Sequence, residues 1–178
     1  MKNRKKTIRK IVGTGILAAL TVVLSFINIP INGTPLNLAL LPIAIAAILY
    51  GKTSGFFVGM VNGVIVLMYA AGAYLAINPV ATVFLCLLKT GLAGLIAGLI
   101  YQLLKNKNEH LGVILATILV PIINTSIFVV GAVSFFGEMI GDLLAGILTL
   151  NFVIEFIINL LLSPSIYYVV KVAKKKVI

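Results

Sequence analysis

Long apolar runs broken by short polar turns set the pattern of this chain. Six runs stand out, at about 8–27, 35–50, 54–73, 79–104, 111–134 and 144–170. The breaks between them, "NIPINGTPLN", "GKTSG", "AINP", "KNKNEH" and "FFGEMIGD", carry the Gly, Pro, Asn and Asp residues that punctuate helices. A helix needs about 20 apolar residues to cross the hydrocarbon of a bilayer. The pattern therefore predicts an all-α membrane protein of six spans. No linker is long enough to divide it, so 1–178 reads as one domain. The basic start followed by apolar Ile11–Ile27 resembles a secretory leader, but no A-x-A cleavage motif follows. It is read as a retained first span.

The second run is short. Thr34 is expected to cap it and Pro35 to take its first helical position. Residues 35–50 would reach only about 24 Å at ~1.5 Å per residue, against a core of ~30 Å. Either the bilayer thins there, or the loop "IPINGTPLN" before it dips inward and lines a protein cavity.

Composition makes the membrane reading firm. The chain is 61% hydrophobic and 10% charged, with a mean hydropathy of +1.20. Soluble domains carry about 25% charged and about 45–50% apolar residues. The net charge of +10 raises nucleic acid as a partner, but the positions exclude that reading. Lys2, Arg4, Lys5, Lys6, Arg9 and Lys10 lie before the first run, and Lys171, Lys174, Lys175 and Lys176 after the last. Lys52, Lys105 and Lys107 fall in two intervening turns, and the alternate turns hold only the acids Glu138 and Asp142. Such asymmetry places basic segments in the cytoplasm, so both termini are expected inside, facing anionic head groups.

Cys86 and His110 are the single cysteine and histidine, which excludes an internal disulfide and a Cys/His metal cluster. No cofactor is called for. "GKT" at 51–53 looks like the end of a P-loop, but that motif needs glycine where Ala46 stands. No nucleophile and base can be paired, so an enzyme is not expected. Small residues form stripes instead: Gly55, Gly59 and Gly63 on the third run, Gly94 and Gly98 on the fourth, Gly15, Ala18 and Ala19 on the first. Such faces let helices approach closely in lipid, either within the chain or against a partner.

Lys89 is the one basic residue that topology does not explain. Counted from the ends of their runs, Lys89, Asn124 and Glu155 share a level about 15–16 Å deep. Asn151, Glu155, Asn159 and Ser163 recur every fourth residue and stack on one helical face. Pro121 frees a carbonyl one turn from Asn124 and Thr125. A charge at mid-membrane costs at least ~2.5–3.5 kcal/mol and faces the bundle interior. Two readings stay open: a structural Lys89–Glu155 ion pair, or a ligand site in which Lys89 takes an anionic group, Glu155 a donor and the asparagines hydrogen bonds.

The stretches "LNLALLPIAIAAILYGKTSGFFVGMVNGVI" (36–65) and "NTSIFVVGAVSFF" (124–136), with the basic start and six spans, resemble the substrate-binding S components of energy-coupling factor (ECF) vitamin transporters. The resemblance covers nearly the whole chain. It implies a lid over the site from the first outer loop, including Asn32, Gly33, Thr34 and Asn37, and a pocket in the outer parts of spans four to six. It implies that a small-residue face on the first span docks a transmembrane T component. Here Gly15-x-x-x-Ala19 stands where the family often has A-x-x-x-A. Two ABC ATPase subunits would supply hydrolysis, and the chain would sit in a prokaryotic plasma membrane. A buried lysine suits a carboxylate, and the site's aromatics are few: Phe84, Phe128, Phe152 and Phe156. Together these favour pantothenate over folate, cobalamin or riboflavin. Two other functions remain: an ion-coupled secondary transporter using Glu155, for which no internal repeat is visible, and a membrane assembly subunit without transport.

Overall fold

A computed structural model describes residues 2–27, 30–31, 34–35, 37–69, 71–136 and 152–175. Among the described residues, five helices are long and apolar enough to cross a membrane. They are α1 (Lys2–Ser25), α3 (Lys52–Tyr69), α5 (Pro79–Leu104), α6 (Glu109–Phe136) and α7 (Phe152–Lys175). Two short helices join them, α2 (Leu40–Tyr50) and α4 (Gly72–Ile77), with a hairpin of β1 (Pro30–Ile31) and β2 (Thr34–Pro35). Lys52, Lys105 and Lys171 start or end their helices at one common end of the bundle, where Lys10 bonds Thr53. We call this the basic end.

The second element departs from expectation. Thr34 does not cap a helix and Pro35 does not start one: both lie in β2, paired with Ile31 and Pro30. The register leaves residues 32 and 33 between the strands, and their sequence, Asn-Gly, is the preferred pair for a two-residue hairpin. Helix α2 starts only at Leu40 and is about 16 Å long. It is apolar on every side, and Leu40, Ile43, Ala44, Ala46 and Ala47 are fully buried. A helix without a polar face belongs inside a bundle, and α2 touches α1, α3, α5, α6 and α7. It ends at Gly51, whose φ of 94° only glycine adopts readily. "GKT" is thus a helix-to-helix turn.

The third run splits. Helix α3 stops at Tyr69, and α4 occupies 72–77, across the expected end of the third run at 73 and into the loop expected after it. Asn78 then caps α5 by accepting the Ala81 amide at 3.1 Å, with Pro79 at the first turn. The fourth run matches α5 residue for residue. The sixth was expected from 144; residues 144–151 lie outside the described residues, and α7 extends past 170 to Lys175.

Glycines decide how α3 meets α5. A Cβ on Gly59 would lie 2.2 Å from the Thr90 carbonyl oxygen, and one on Gly94 2.2 Å from that of Gly55. The two backbones touch, so these stripes serve packing within the chain. The Gly15 face has nothing within 4 Å. Helix α1 holds to α3 by polar contacts: Thr14 donates to Ser54 at 2.9 Å, and Ser25 to Asn62 at 3.2 Å.

Candidate functional site

Away from the basic end, the expected polar residues fall on three helices: Lys89 on α5, Asn124 and Thr125 on α6, Glu155 and Asn159 on α7. Lys89 and Asn124 each lie 15 residues, about 22 Å, from the basic end of their helices, and Glu155 lies 16 residues, about 24 Å, from Lys171. That places them beyond the middle of α5, whose 26 residues span about 39 Å. Glu155, Asn159 and Ser163 are 7%, 2% and 1% exposed, so the face of α7 that carries them points inward. Asn124 and Thr125 are buried on α6. Asn151, Asn32 and Gly33 lie outside the described residues.

Lys89 and Glu155 form no ion-pair contact within 4.0 Å; each has another partner. The Lys89 ammonium lies 4.7 Å from the centroid of the Phe128 ring, a cation–π distance. One Glu155 oxygen accepts the Asn37 backbone N–H at 2.9 Å. This bond ties the segment after the hairpin to α7, so Asn37 belongs with the site.

Hydroxyls in the spans are satisfied locally. Thr90 donates to the Cys86 carbonyl and Thr117 to that of Val113. Pro164 removes the amide that would serve Leu160, and the Ser163 hydroxyl replaces it at 2.8 Å. Against this background the buried amide oxygens of Asn124 and Asn159 lack a partner among the described residues, as does the buried Asn62 nitrogen.

The sequence reading missed Tyr74. Its ring meets Phe128 edge-on at 5.7 Å and Phe136 at 5.4 Å, so α4 closes the wall behind Lys89. Burial pushes the Tyr74 phenol above its usual value, with a smaller contribution from Cys86. It was expected in the loop after the third run, so no pattern pointed there. Phe152 and Phe156 pair at 6.1 Å on α7. Phe84 instead is 63% exposed, in an apolar groove with Val80, Leu88 and Phe135 on the outside of α5 and α6, separate from the polar cluster.

A bundle of apolar helices around a charged, under-bonded interior fits a membrane protein that takes a polar solute. The family comparison decides which kind. The model for the ECF transporter, substrate-specific component, matches residues 9–167. The chain belongs to this family. S components of this family are transporter subunits rather than enzymes, and the family implies a small-molecule substrate and a membrane complex with T and ATPase subunits. This S component is a multi-pass membrane protein. No curated protein and no solved structure matches it.

Proposed function

We propose that this S component captures a water-soluble vitamin bearing an anionic group, from outside a prokaryotic cell, for ATP-driven uptake. The observation that carries the reading is Lys89: a cation within a span, beyond ion-pair reach of Glu155, facing a level with unpartnered amide oxygens. Lys89 takes the anionic group, and Asn124, Thr125 and Asn159, with Asn151, supply hydrogen bonds. Glu155 holds the entrance through Asn37, and the loop with Asn32, Gly33 and Thr34 acts as the lid. Both termini and the basic end face the cytoplasm, as Lys/Arg asymmetry favours, so the cluster opens outward.

Gly15 and Ala19 are exposed on α1 and form the face for the T component; Ala18 packs partly against the core. A T component and two ABC ATPases complete the transporter. Pantothenate, with its carboxylate, is the first vitamin to test, before folate, riboflavin and cobalamin. The test is calorimetry of the purified protein against these four. Saturable 1:1 binding of one that carries an anionic group, weakened in Lys89→Met, supports the proposal; binding of riboflavin alone, which carries none, would contradict it. Full binding by Lys89→Met would remove Lys89 from the site.

A further inference from the structure

Asn159 is 2% exposed, on the inward face of α7, one turn from Glu155. Its amide is pinned. The Nδ2 group donates to the Glu155 backbone carbonyl at 2.8 Å, and a carbonyl can only accept. The other end of the amide is therefore the oxygen, and that oxygen is buried without a partner. An unmade bond of this kind is costly where no bulk water reaches.

Its neighbours on α7 offer it nothing. The Glu155 carboxylate already accepts from Asn37. The single Ser163 proton is committed to the Leu160 carbonyl. The described α7 wall therefore presents acceptors: a carboxylate and a fixed amide oxygen. On α5 the Lys89 ammonium is a donor, and its described contact is the Phe128 face. On α6 the Asn124 amide oxygen is likewise buried with no described partner. The site is thus divided, with this donor on α5 and these acceptors on α6 and α7.

We infer that the substrate carries at least one N–H or O–H group that donates to Asn159 Oδ1, besides the anionic group that meets Lys89. The class is a hydroxy- or amido-carboxylate, not a plain carboxylate or an acceptor-only ring. This rests on the proposed function above and narrows it. Affinity then depends on the donor as well as the anion, because an analogue without the donor leaves Asn159 unpaired.

The experiment uses the full chain in detergent micelles and calorimetry. The probe is whichever of pantothenate or folate binds, paired with its analogue methylated at the hydroxyl or amide nitrogen. Wild type is expected to prefer the unmethylated probe by about tenfold or more. Asn159→Leu, of similar bulk, is expected to bind both forms weakly and equally. The wild-type comparison needs no substitution, so a folding defect in the variant leaves it intact. Equal binding of the two probes by wild type would overturn the inference and leave the proposed function standing. A preference that survives in Asn159→Leu would also overturn it, assigning Asn159 Oδ1 to a resident water only. Binding of none of the four vitamins by folded wild type would overturn the proposed function, and the inference with it.

Discussion

Lys89 rests on an aromatic face rather than against a carboxylate, and that choice matters for what the site can bind. An ammonium locked to Glu155 would be neutralised; one lying over Phe128 keeps donors for an anion. Lys89→Met is expected to weaken vitamin binding about 10–100-fold, the range for a hydrogen bond to a charged group, read by calorimetry. Glu155 acts on the segment after the hairpin. In Glu155→Ala, hydrogen exchange at the Asn37 amide is expected to speed up about 10–100-fold on the same grounds. An unchanged exchange rate would show that Glu155 does not hold this segment. The charged residues were legible in the sequence because a charge inside an apolar run stands out. Tyr74 was not, since an aromatic near the end of an apolar run looks like any other interfacial ring.

At the scale of elements, spacing alone could not say which small-residue faces pack inside the chain. Gly59 and Gly94 press on backbone, whereas Gly15 meets nothing. Gly59→Val is expected to lower the melting temperature, since overpacking a tight contact costs about 1–3 kcal/mol. Gly15→Leu is expected to leave the melting temperature unchanged while reducing co-purification with the T component. Retention of a full complex by Gly15→Leu would move the docking face elsewhere. Helix starts were well marked where a cap and proline coincide, as at Asn78–Pro79. The same logic failed at Thr34–Pro35 because Asn32-Gly33 favours a hairpin, and strand pairing took the two residues first. The split between α3 and α4 was hidden by hydropathy, which stays high across it.

At the scale of the molecule, α2 is the element that departs from the rest of the bundle. It is too short to fill the span, and the hairpin segment occupies the chain between α1 and α2. Six apolar runs suggested six spans, the second of them short; among the described residues five helices have spanning length, and α2 is a buried plug among them. Hydropathy reads apolar length, not depth, so it could not separate a plug from a span. Both termini are expected on one side of the membrane, checked by reporter fusions at each end; opposite signals would contradict the topology. The central claim is capture of an anionic vitamin at the α5–α6–α7 cluster. Native mass spectrometry of the purified protein with pantothenate, folate, riboflavin and cobalamin tests it most directly. One vitamin with an anionic group is expected to bind 1:1 to wild type and to be lost from Lys89→Met; a folded wild type that retains none of the four, or only riboflavin, would rule out anionic-vitamin capture.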